Sequence, residues 1–285
     1  MKLLIRQIYH QSCSLRYGLA GIILLALMAG CQSISTTSGG ELGVDRQQRM
    51  FALLSAQQVD EMADKAYRDT LKASNKKQVL NQDRVTLKRL RAIADKLIAQ
   101  VGTFRTDALK WDWQVNLITD KQLNAYCMPG GKIIFYSGII HKLTLTDDEI
   151  AAIMGHEMAH ALREHGREAM SEAYAVALGK SALYVMFGVN DDALALADTV
   201  VNYSLTLPHS RTKEVEADLM GLELMARAGF NPQAAVTLWE KMSKVGGNQP
   251  PEFMSTHPNH DTRINGLAAA VHKVNALYQQ AKNPQ

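Results

Sequence analysis

GHEMAHALREHG (Gly155–Gly166) sets His156 and His160 four residues apart, with Glu157 beside the first. Upstream, Thr146-Asp147-Asp148-Glu149 is a capping-box sequence that starts a helix, and Gly166 supplies a stop. Those two signals predict a helix of roughly eighteen residues. Side chains four apart leave a helix on one face, so both imidazoles can converge on one metal ion. Glu157 is rotated by about a hundred degrees, to the edge of that face. There a carboxylate can reach a metal-held water without binding the metal, which is the chemistry an H-E-x-x-H pattern encodes. His165 falls on the opposite side of a continuous helix and is left out of the site. A purely structural reading fits poorly. Ile150, Ile153, Met154 and Ala161 already give this helix an apolar surface, and a buried Glu157 would need a partner.

A catalytic zinc needs a third protein ligand and an open position. The best candidate lies in SRTKEVEADLMGLELM (Ser210–Met225). Glu214 and Asp218 are again four apart on a predicted helix. Glu214 can bind metal while Asp218 accepts the second N–H of a ligand histidine and so orients it. Glu216 is rotated about two hundred degrees from Glu214 and should face elsewhere. Val215, Ala217, Leu219, Leu222 and Leu224 leave little of this helix exposed, so its acidic pair needs a cation.

The remaining chain supplies a mostly helical frame. Ser55 is a plausible cap for AQQVDEMADKAY, and Val85, Leu87, Leu90, Ile93, Leu97, Ile98 and Val101 form one apolar face. Trp111, Trp113, Val115 and Leu117 alternate with polar residues and predict a half-buried strand. NAYCM, PGG and KIIFYSG then read as strand, tight turn and strand. Further helices are expected over Glu168–Phe187, Asp191–Leu205 (broken by Pro208), Thr212–Ala228 (stopped at Gly229), from Pro232 to Val245, and over Thr262–Lys282. GGNQPPEFMSTHPN reads as a loop.

Hydrophobic residues are 47% and charged residues 21% of the 285, a globular balance with ample length for a core. Lys2, Arg6 and Arg16 account for the whole net charge of +3; setting them aside leaves 28 basic against 28 acidic residues. A neutral chain has no electrostatic footprint for nucleic acid. Those three residues precede or flank LAGIILLALMAG (Leu19–Gly30), too short to span a bilayer but suited to a secretion signal. M-A-G-C resembles a lipoprotein cleavage site, which makes residues 1–30 a signal peptide and Cys31 the lipidated N-terminus. Residues 31–44 then form a flexible, polar tether, and 45–285 the folded domain. With Cys31 carrying lipid, Cys127 has no disulfide partner.

HEMAH followed by E-V-E-A-D resembles the zinc metallopeptidase family that includes the HtpX heat-shock protease, the CAAX prenyl-protein endopeptidase and the mitochondrial overlapping-activity protease. Asn124–Ile140 is similar to its edge-strand hairpin, Leu207–Met242 to its third-ligand region, and STHPNHDTRI (Ser255–Ile264) to its H-P…R-I element. The likeness runs from about Arg46 to Leu277 and is closest to a periplasmic lipoprotein branch (LoiP/YcaL-like). The resemblance implies an α+β fold of the zincin type, mostly helical with a small sheet beside the zinc helix. It also implies one catalytic zinc on His156, His160 and Glu214, with Glu157 as base and Asp218 orienting a ligand. His257 would sit over the metal, either as a resting ligand or as an oxyanion donor. Asn124 and its neighbours would pair with substrate backbone as an added strand. The expected function is a membrane-tethered zinc metalloendopeptidase acting on unfolded or misassembled envelope proteins. Gln32 after the lipidated cysteine resembles an outer-membrane sorting signal, so the enzyme would face the periplasm. The alternative is a zinc-binding lipoprotein that chaperones or scaffolds envelope proteins, a role with no use for Glu157.

Overall fold

In the computed structural model, residues 31–52, 54–187, 210–245, 252–257 and 261–283 are described. The expected signal peptide, the expected helix Asp191–Leu205 and Pro208 lie outside them. The helices are α1 (Ala56–Lys76), α2 (Arg84–Ile98), α3 (Ser137–Lys142), α4 (Asp147–Leu162), α5 (His165–Phe187), α6 (Arg211–Arg227), α7 (Gln233–Ser243), α8 (Glu252–Thr256) and α9 (Asp261–Lys282). The strands are β1 (Cys31–Ile34), β2 (Gln48–Phe51), β3 (Gln114–Ile118), β4 (Ala125–Met128) and β5 (Lys132–Tyr136). The fold is α+β and mostly helical, as expected. No helix among the described residues is long and apolar enough to cross a membrane.

Helix α4 is the centre. Thr146 caps it reciprocally: Glu149 N donates to Thr146 Oγ1 at 3.3 Å, and Thr146 N donates to Glu149 Oε2 at 2.9 Å. Every residue from Glu149 to Leu162 is buried, so this helix has no solvent face and must be wrapped. α2, α6, α7 and β4 do the wrapping. The closest approach is to α6, where a Cβ added at Gly155 would lie 2.9 Å from Gly221 O. One added at Gly221 would lie 2.7 Å from His156 N. The stop comes earlier than Gly166: Glu164 takes a left-handed φ of 52°, its carboxylate held by Arg105 and Arg167, and α5 starts at His165.

The three-stranded sheet has the order β3-β5-β4, with β5 parallel to β3 and antiparallel to β4. β4 is thus an edge strand lying against α4. β3 starts at Gln114 rather than Trp111 and is covered on both faces instead of one. Val115, Leu117, Ile133 and Phe135 pack into the main core, whereas Ile118 and Ile134 pack with Tyr67 of α1. Buried Asn116 is accommodated because its amide donates to Tyr67 Oη and its side-chain oxygen accepts from Asn81.

Residues 31–51 differ most from expectation. β1 pairs antiparallel with β2, with Cys31 opposite Phe51. Between them the chain is docked, not free. Ser38 N donates to Phe104 O at 2.9 Å, and Glu41 N and Leu42 N donate to Glu223 Oε2 at 2.8 and 3.1 Å. Arg163 donates to Thr37 Oγ1, Val44 O and Arg46 O. Arg163 and Glu223 are both 0% exposed, and this strap satisfies their polar atoms. Two smaller differences are local. Val85 sits in the first turn of α2 and is 82% exposed, and the loop before His257 contains α8.

Gly221→Ala should force α4 and α6 apart. Overpacking of this kind costs about 1–3 kcal/mol, which for a domain of this size lowers Tm by roughly 3–10 °C. An unchanged melting curve would show that the two helices can separate freely.

Candidate metal centre

Four donors converge between α4, α6 and the end of α8: His156, His160, Glu214 and His257, all buried and with ligand atoms within 4.8 Å of one another. His156 Nε2 lies 3.1 Å from His160 Nε2 and 3.2 Å from His257 Nδ1. Glu214 Oε1 lies 3.1 Å from His257 Nδ1 and 3.5 Å from His160 Nε2. Four donors at bonds of ~2.0–2.1 Å around one tetrahedral ion are separated by about 3.3–3.4 Å. The cluster therefore fits a metal ion, and three imidazole nitrogens plus a carboxylate suit a divalent one.

The helix crossing at Gly155 and Gly221 brings Glu214, one turn into α6, over the two histidines of α4. His257 arrives differently from expectation. It ends the helical turn of α8, its N–H donating to Phe253 O at 2.9 Å, rather than sitting in an extended loop. Phe253, buried against Trp239 with its N–H on Leu123 O, fixes that turn.

Around the donors the charges are arranged in pairs. His156 Nδ1 lies 3.0 Å from Asp218 Oδ1, leaving Nε2 for the metal. Arg263 grips Asp218 with two hydrogen bonds of 2.6 Å, reaches Glu214 Oε2 at 2.7 Å and lies over the Trp239 ring. Burial opposes ionisation of Glu214, but His257 and His156 outweigh it and hold the carboxyl well below its usual range. Burial likewise disfavours charge on His156, yet the Asp218 and Glu214 carboxylates push its pKa up to about 9. Glu157 stands outside the donor set, with Oε1 3.4 Å from His257 Nε2. Burial raises its pKa, partly offset by His257 and His156.

Two buried residues that the sequence analysis set aside lie behind the donors. His165 returns onto His160 because the chain reverses at Glu164: the two Nδ1 atoms are 2.9 Å apart. Glu216 is indeed turned away from the donors, but it meets His165 Nε2 at 3.0 Å and carries Arg163 and Arg46 on its far side. A continuous helix through Gly166 would have carried His165 away from His160, so no sequence spacing signalled that contact. Asn124 lines the cleft beside Glu157, His160 and His257. Its carbonyl already accepts from Tyr136 N at 3.1 Å and its side-chain oxygen from Ala125 N at 2.9 Å. The outer edge of β4, away from β5, lies beyond it. A larger groove of about 660 Å³, lined by Phe51, Leu54, Met62 and Tyr174, lies away from these donors.

Residues 85–271 match the model of peptidase family M48. The mitochondrial metalloendopeptidase OMA1 of Arabidopsis thaliana is 37% identical over 158 residues, covering 55% of this chain and 31% of that protein. Its counterpart in Saccharomyces cerevisiae is 35% identical over 181 residues, covering 61% and 51%. The beta-barrel assembly-enhancing protease of Escherichia coli is 27% identical over 168 residues, covering 55% and 34%. The matches thus span a third to a half of these curated relatives.

Asp218→Asn keeps the side-chain shape but removes the charge facing His156 and Arg263. Chelator competition should show the metal dissociation constant rising by about 10- to 100-fold. An unchanged constant would mean that His156 is oriented without this carboxylate.

Proposed function

Since the chain belongs to peptidase family M48, we propose that it is a zinc metalloendopeptidase tethered to the cell envelope through a lipid on Cys31. The observation that carries this reading is Glu157, a buried carboxylate beside the four-donor cluster yet outside it, facing a cleft along an edge strand. A scaffold that only stores metal has no use for such a group.

His156, His160 and Glu214 would hold the zinc, with His257 available as a fourth donor. The ion supplies Lewis acidity, polarising a peptide carbonyl and making a water easier to deprotonate. Glu157 takes the proton of the attacking water and delivers it to the leaving amine. Its raised proton affinity suits both halves of that transfer. His257 must move aside for substrate, after which its imidazole helps bear the negative charge that develops on the carbonyl oxygen. An extended substrate pairs with the outer edge of β4, a mode indifferent to most side chains and suited to unfolded chains. Envelope substrates follow from the lipoprotein-like N-terminus and from the name of the E. coli relative, which assists β-barrel assembly. On this reading the protein performs quality control at the outer membrane, facing the periplasm.

Glu157→Gln in the chain from residue 32 onward should retain about one zinc per chain yet lose casein hydrolysis by roughly a hundredfold or more. His257→Ala, measured beside it, should also retain most zinc and lower turnover. Full proteolysis by Glu157→Gln would sink the mechanism.

Several acyl chains hold a protein firmly at a bilayer where one does not. Cys31→Ser should accordingly release the protein from membranes without changing its melting temperature. Membrane retention that survives both this change and high salt would point to another anchor.

A further inference from the structure

His156 and His160 present their Nε2 atoms to the cluster, 3.1 Å apart, so each must carry its proton on Nδ1 to bind a metal. For His156 the acceptor of that proton is Asp218. For His160 the described partner of Nδ1 is His165 Nδ1, at 2.9 Å.

Two imidazole nitrogens can share one hydrogen bond only if one of them is bare. With His160 protonated on Nδ1, His165 must be bare on Nδ1 and protonated on Nε2. His165 Nε2 then donates to Glu216 Oε2 at 3.0 Å. The opposite arrangement, with a proton on His165 Nδ1, would leave His160 bare on Nδ1 and protonated on the atom that faces the metal. Glu216 excludes it for a neutral ring by needing the proton on His165 Nε2, and complete burial opposes a second proton on Nδ1. The carboxylate is itself pinned by Arg163 Nε at 2.9 Å and Arg46 Nη2 at 3.1 Å. His165 is 0% and Glu216 7% exposed, so water does not substitute for either.

We propose that His165 and Glu216 are positioning residues for the metal, selecting the tautomer of His160 that leaves Nε2 free to bind. The three acids of E-V-E-A-D then have three separate tasks. Glu214 binds, Asp218 sets His156 directly, and Glu216 sets His160 through His165. Because Arg163 also holds Thr37, Val44 and Arg46 of the docked strap, the segment that follows Cys31 buttresses this second line.

This inference rests on the metal-site reading above, and the test separates the two. Zinc dissociation constants would be measured by chelator competition on the chain from residue 32 onward, together with melting temperatures of the metal-free forms. His165→Leu removes the acceptor and should raise the dissociation constant by about 10- to 100-fold. His165→Asn can place its side-chain oxygen near the lost Nδ1 and should recover most of that affinity, although it cannot span to Glu216. Glu216→Gln, which weakens the grip on His165 Nε2–H, should raise the constant by about tenfold. A merely structural pair would lower the metal-free melting temperatures and leave all three constants at the wild-type value, which would overturn the proposal. Should His165→Leu fail to fold, a wild-type constant in Glu216→Gln would overturn it equally. Failure of the wild-type chain itself to bind zinc would instead remove the metal-site reading.

Discussion

Helices α4 and α6 touch backbone to backbone where Gly155 meets Gly221, with no room at either position for a Cβ. That contact sets how near the acids of α6 come to the histidines of α4. A larger residue at either point would push Glu214 out of donor range of His160, now 3.5 Å. The rest of the architecture serves this crossing. α7 and α9 cover it, β4 borders it, and α8 brings His257 over the gap that remains.

A contact so close buries many charges, and the structure compensates them locally. Glu214 and Asp218 share Arg263, while Glu216 and Glu168 share Arg46, and Arg163 adds to Glu216. Leaving one partner unpaired in such surroundings costs several kcal/mol, so these networks stay only if complete.

The docked strap ties the N-terminal segment into the same network. Its backbone satisfies Glu223 and Arg163 rather than water. A chain expected to emerge as a loose tether instead reaches the sheet of β1 and β2 with little slack. On the opposite side, the open edge of β4 faces the cleft. A strand added there would run past Glu157 and the donors together.

What the sequence determined by itself was local. Caps at Ser55 and Thr146, most of the apolar face of α2, the β4–β5 hairpin and the shared face of His156 and His160 depend on spacings of a few residues, and pattern encodes those directly. That Asp218 could orient a ligand histidine was legible too, but that this histidine is His156 was decided by how the two helices cross. Only the tertiary structure decided the rest. The left-handed turn at Glu164 depends on two arginines brought from elsewhere in the chain or the next helix, and it alone returns His165 to His160. The strap docks because Arg163 and Glu223 are buried, which no local pattern states. His257 reaches the donors because Phe253 anchors a short helix against Trp239. Such contacts join residues far apart in the chain, and burial, which only packing creates, is what gives their polar atoms no alternative partner.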